Sequence, residues 1–193
     1  VSATTPAHAA PEAGSAWPLL QQIFEAEWER ALREDPLLAT YLGDRRYEDR
    51  WPDLSAAALA RSHAADRAVL EFLDTIPAES LAQSDRLNQR LFARMYRGEL
   101  DAYAWGLQYL PITQRDGVQS VHELAELLPF ATVQDYQNWI ARLNGLGSYV
   151  DQTIDLRTLL AESGVTDVLD ELDRELVGLA PVKTRIREIA SLL

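Results

Sequence analysis

Apolar residues return at steps of three and four through most of this chain, the spacing that paints one face of an α-helix. From Trp17 to Glu34 the positions Trp17, Leu20, Phe24, Trp28 and Leu32 form such a stripe, and Asp35-Pro36 ends it. Pro36 is suited to open a short second helix through Leu42, with Gly43 in the left-handed position behind it. Asp44 to Asp53 is charged and aromatic without periodicity and reads as a loop. Ser55 is placed to cap a helix reaching Asp74, with Leu59, Val69, Leu70 and Leu73 inward, and Ile76-Pro77 stops it. Ser84 or Asp85 starts the next, carried by Leu87, Leu91 and Met95 and continuing to Tyr103 despite Gly98.

Trp105 to Gln119 contains Pro111 and Asp116-Gly117 and predicts a long connection with a turn. Ser120-Val121-His122-Glu123 has the form of a capping box opening a short helix to Leu128. Thr132 caps a further helix with Val133, Tyr136, Ile140 and Leu143 on one face, ended by Gly145. No run alternates apolar and polar residues, so the expected class is all-α: an irregular multi-helix bundle.

After Thr153 the texture changes. Many charged residues space out Val165, Val168, Leu169, Leu172 and Leu176, a narrow stripe on a polar helix; Gly178 breaks it, and Pro181 opens a helix edged by Val182, Ile186 and Ile189. The pattern halts in mid-helix at Leu192-Leu193, which suggests truncation. The expected organisation is a tail or processed signal remnant over 1–15, a helical domain over 16–153, and a C-terminal helical extension over 154–193. Because the apolar stripes before and after Thr153 did not arise as partners, the extension is expected to pack weakly on the rest.

Charge narrows the partners. With 30 acidic against 18 basic residues the net charge is −12, a field that repels phosphate backbones, so no nucleic acid is expected. Apolar runs fall far short of the roughly 20 residues that span a bilayer. The absence of Cys removes disulfides, thiolate nucleophiles and Cys-ligated zinc. Val1 to Ser15 is rich in Ala, Pro, Ser and Thr, and Ala7-His8-Ala9 has the small-x-small form a signal peptidase reads, without a preceding apolar region. Two readings stand: the scar of an export signal, which would make the protein periplasmic, or a disordered tail on a cytoplasmic one.

Candidate chemistry is sparse. His122-Glu123-Leu124-Ala125-Glu126 resembles the H-E-x-x-H zinc helix but carries Glu in fifth place, and Glu123 already has a capping role. Gly178 to Thr184 ends in Lys-Thr like a phosphate loop, yet Val182 stands where the second Gly is needed, the spacing is one short, and Pro181 removes a donor. Carboxylate pairs such as Glu25 with Glu29, or Asp170 with Asp173, share helix faces that read as solvated. No G-x-S-x-G nucleophile elbow occurs. The one surface feature suited to a ligand is the aromatic loop around Tyr47, Trp51 and Trp105. No catalytic residue, metal or cofactor is expected, and a protein partner is left open.

Two resemblances add to this. The strings Ala39 to Tyr47, Arg50 to Ser55, Leu110 to Gln119 and His122 to Val133, continued by Asp135 to Leu143 and Tyr149 to Thr153, resemble the N-terminal third of the bacterial family catalogued as domain of unknown function 885. That resemblance implies an all-helical, often exported protein similar to zinc metallopeptidases of the H-E-x-x-H type, with its metal motif in a much later part of the full-length chain. From about Ile154, and most closely from Val168 to Ala190, the sequence resembles the start of the CbbX family, AAA+ ATPases that remodel red-type Rubisco. By that resemblance alone, Val177 and Gly178 are similar to the element that lines the adenine pocket, while the Walker motifs would lie beyond Leu193. The function expected is therefore a non-catalytic truncated or fused helical protein. Its rivals are the start of a longer CbbX-type ATPase and an acidic helical interaction module.

Overall fold

The computed structural model describes residues 16–112 and 117–162, and among these every regular element is helical. Helix α1 spans Trp17–Glu34, α2 Pro36–Tyr41, α3 Ala56–Asp74, α4 Gln83–Ala104, α5 Leu124–Leu127 and α6 Val133–Glu162, with short 3-10 turns between them. The all-α class holds. The seams between helices follow local chemistry: Asp35 closes α1, and its carboxylate accepts from the backbone N–H groups of Leu37 and Leu38 to start α2. Ser55 caps α3 through the Ala58 N–H. Gly43 sits at φ 80°, the left-handed backbone that a side chain resists.

The first core lies where α1, α3 and α4 meet. Leu20, Val69, Leu73, Ile76, Leu81, Ala93 and Tyr96 are buried together, with Phe24 set edge-on against Phe92 at 4.5 Å. Beneath them Arg30 ties the three helices: its guanidinium donates to Glu27 at 2.7 Å, Glu34 at 3.0 Å and Asp66 at 2.5 Å, and Tyr96 donates its hydroxyl to Glu27 at 2.7 Å. Helix α4 turns a different face inward from the one its hydrophobicity predicts. Leu87, Leu91 and Met95 are exposed, while Asp85, Ala93 and Tyr96 are buried. The reason is partly polar, since Gln89 on the inward side donates to the carbonyls of Leu73, in the last turn of α3, and of Ile76, just beyond it.

The second core gathers Trp51, Leu124 and Tyr149, flanked by Leu37, Leu54, Val121, Trp139 and Leu146. Here two expectations are corrected. Ser120 donates to the Gly117 carbonyl, and Val118–Glu123 is a 3-10 turn, so the capping box does not form; the positive φ of Gly117 lets the chain turn tightly into that 3-10 segment. Helix α6 does not stop at Gly145 but runs on through Gly147 and Thr153 to Glu162. Its inward face is Asp135, Arg142, Tyr149, Thr153 and Leu156, so the predicted stripe of Val133, Tyr136, Ile140 and Leu143 faces water.

Gly145 survives inside α6 because a Cβ there would meet Trp51 Cδ1 at 3.3 Å, and Trp51 cannot retreat: its indole N–H is bonded to the Arg142 carbonyl and its ring is stacked on Tyr149 at 5.0 Å. Gly147, two residues on, has open space around it. Replacing Gly147 with Ala is expected to stabilise the protein by about 1 kcal/mol through helix propensity, whereas Gly145→Ala is expected to destabilise it despite the same propensity gain. Urea unfolding of the two variants checks the opposite signs.

The N-terminus of α6 is clamped from the loop side. Asp135 accepts from the backbone N–H groups of Ala131 at 2.8 Å and Thr132 at 2.9 Å and is ion-paired to Arg45. The Thr132 hydroxyl and these N–H groups, with Arg45, hold the Asp135 pKa down at about 2 against the opposing effect of burial. Since the folded pKa lies below the ordinary 3.8, the stabilisation is fully present above about pH 4 and is lost as the pH falls through about 2. Acid titration of unfolding should show this slope in the parent and a weakened one in Asp135→Asn.

Candidate functional site

A cleft of about 680 Å³ is bounded by the end of α1, α2, the Arg50–Leu54 loop, the start of α3 and the α5 region. Its floor is the outer surface of the second core: Leu37, Trp51, Leu54, Leu124 and Tyr149. Each is delivered by a separate local cause. Asp35 starts α2 and so places Leu37; the Leu54 N–H is held by the Gln152 side chain at 2.8 Å, fixing the loop that carries Trp51; and Tyr149 is stacked on Trp51 from α6.

Behind Trp51 lies Arg142, whose side chain is wholly buried. Its Nη2 donates to the Tyr47 carbonyl at 2.8 Å and the Thr40 hydroxyl at 3.0 Å, and its guanidinium lies 5.8 Å from the Trp51 ring centroid. Nε and Nη1 have no hydrogen-bond partner among the described residues, nor has the buried Oε2 of Glu48. Burial pushes the Arg142 pKa down, with Glu48 and Asp49 opposing it. Arg142 thus joins α2, the loop and α6 and supports the cleft wall from within. Sequence reading missed it, because an Arg amid exposed charges looks like every other surface Arg.

The carboxylates at the rim are engaged. Glu34 accepts from Arg30 and from the Ser62 hydroxyl at 3.0 Å, Asp35 caps α2, and Asp53 accepts from the Ser55 N–H and from Gln152. The arginines differ. Arg50 is held by both oxygens of Asp49, Arg61 reaches Asp53 only at 3.7 Å, and Arg33 makes no ion pair among the described residues, acting only at longer range on Glu29.

Of the residues singled out by sequence, Trp51 lines the cleft. Tyr47 does not, lying instead beneath Arg46 and Arg50, and Trp105 stands elsewhere, 83% exposed. His122, Glu123 and Glu126 are exposed on the 3-10 turn and α5, and no group of three His, Asp or Glu side chains able to share an ion occurs among the described residues. Glu29 is paired with Arg46 at 2.7 Å and Glu25 with Gln21, so neither forms an acid and base couple. Val177, Gly178, the Gly178 to Thr184 string and the Asp170 and Asp173 pair lie outside the described residues. No helix among the described residues is long and apolar enough to cross a membrane.

The model of a family described as "Bacterial protein of unknown function (DUF885)" matches residues 36–177, most of the chain. Among curated proteins, a 42-residue stretch is 60% identical to the chloroplastic ribulose bisphosphate carboxylase/oxygenase activase of Cyanidioschyzon merolae, covering 22% of this chain and 14% of that protein. A stretch of 41 residues is 63% identical to Protein CbbX of Cereibacter sphaeroides, covering 21% and 13%, and one of 34 residues is 68% identical to the chromosomal Protein CbxX of Cupriavidus necator, covering 18% and 11%. The chain therefore spans only a small fraction of the curated relatives it matches. No solved structure matches it.

Proposed function

The chain belongs to the DUF885 family, and from that footing we propose that it is a non-catalytic helical protein: the front part of an exported, zinc-peptidase-like member joined to the front of a Rubisco activase. The change of texture near Thr153 falls within helix α6 and within the span of the family match, so the seam is proposed in sequence, with the helical domain before it and the activase-like segment after it. One observation carries the non-catalytic reading. The cleft combines an apolar floor with carboxylates already committed to caps and ion pairs, and such groups are poorly placed to take up or hand on a proton. What this geometry supports is binding.

The activase-like matches favour one rival, in which the helical part is an adaptor ahead of an AAA+ ATPase module. Reading the gene downstream separates them: a G-x-x-x-x-G-K-[ST] motif in frame supports the rival, and a stop codon supports the proposal. For the chain itself, elemental analysis after dialysis is expected to give no stoichiometric zinc, and an ATPase assay no turnover above blank. A full equivalent of zinc, or measurable hydrolysis, overturns the non-catalytic reading.

A further inference from the structure

Two arginines that line the cleft are the chain neighbours of one contact in its wall. The Glu34 carboxylate accepts from the Ser62 hydroxyl at 3.0 Å, and the chain neighbours of these residues, Arg33 and Arg61, both line the same cleft. Glu34 is turned toward Arg30 and Ser62, leaving Arg33 without an ion pair among the described residues and Arg61 with a loose one to an Asp53 whose other oxygen serves Ser55. On a protein of net charge −12, the cationic capacity left open here stands beside an apolar floor.

We propose that the cleft binds an amphiphilic carboxylate of the fatty-acid type, its hydrocarbon chain on Trp51, Leu54 and Leu124 and its headgroup at Arg33 and Arg61. The volume, about 680 Å³, lies within the range of small-ligand sites. A peptide suits the cleft less well, because each of its residues brings an N–H and a C=O that the apolar floor cannot satisfy. A hydrocarbon chain brings neither. Carboxylate recognition by guanidinium supplies the orientation.

This inference rests on the reading of the cleft as a binding site. Its test is calorimetric titration of the full chain with dodecanoate, kept below its micellar concentration. One molecule per chain is expected, binding about tenfold more weakly to the Arg33→Gln/Arg61→Gln variant, as loss of charge-assisted bonds implies. Dodecyltrimethylammonium, with the same chain and the opposite charge, is expected not to bind. Because both arginines are exposed, the double variant keeps the fold, which circular dichroism verifies. Absence of saturable binding, equal affinity in the double variant, equal binding of the cation, or tighter binding of an apolar peptide with a free carboxylate would each overturn the proposal. If zinc or ATP turnover is found while dodecanoate binds as expected, only the non-catalytic reading falls. If those assays are blank and dodecanoate does not bind, only this one does.

Discussion

Arg142→Ala is expected to cost about 3–5 kcal/mol of stability, the scale for removing one member of a buried charged network. The truncation strips the Tyr47 carbonyl and the Thr40 hydroxyl of their donor, leaves the buried Glu48 with Arg45 alone as its cation, and opens a void behind Trp51 where a fully buried side chain stood. Arg142→Met separates these contributions. Met fills the space without a charge, and since Nε and Nη1 have no hydrogen-bond partners among the described residues, fewer bonds are lost than the removal of a guanidinium normally implies. The Met variant is therefore expected to recover at least half of the deficit in urea unfolding. Equal losses in both would show that the charge, not the volume, holds the loop to α6.

Leu20→Ala is expected to cost about 2–5 kcal/mol, and Leu87→Ala less than about 0.5 kcal/mol. Both residues sit on amphipathic helices and both belong to stripes that periodicity selects. Leu20 is completely buried among Val69, Leu73 and Tyr96, whereas Leu87 is 49% exposed on the outer side of α4. Thermal unfolding of the pair tests the orientation of α4 directly; comparable losses would mean that α4 packs through the face its hydrophobicity favours.

The contrast between these leucines marks how far the sequence could be read. Helix starts were legible wherever a side chain caps its own backbone, as at Asp35 and Ser55, because capping is a short-range bond between near neighbours. Helix faces were legible for α3 and in part for α1, where Leu20 and Leu32 are buried as expected but Trp28 is 53% exposed and Glu27, bonded to Arg30 and Tyr96, is buried beside it, and not for α4 or α6. In those two, the inward side is chosen by polar groups with distant partners: Gln89 reaching the end of α3, Asp135 reaching Arg45, Arg142 reaching Tyr47. Such partners lie 13 to 95 residues away, beyond the reach of one helix turn, and a periodicity measured on apolar residues gives them no weight. Gly145 misled for the same reason, since its missing Cβ answers to Trp51 rather than to a helix end. Of the candidate site, Trp51 was visible as a large ring in a loop, but the cleft that it floors arises only once α2, α5 and α6 are assembled around it.

The outward stripe of α6 also bears on the response to temperature. Val133, Tyr136, Ile140 and Ile154 are each more than half exposed in the native fold, so unfolding adds little to the water already arranged around them. The heat-capacity increment of unfolding grows with apolar surface newly hydrated, and these side chains withhold their share. A smaller increment flattens the stability curve, so the described helical unit should lose stability on cooling more gradually than a domain of its size that hides such residues.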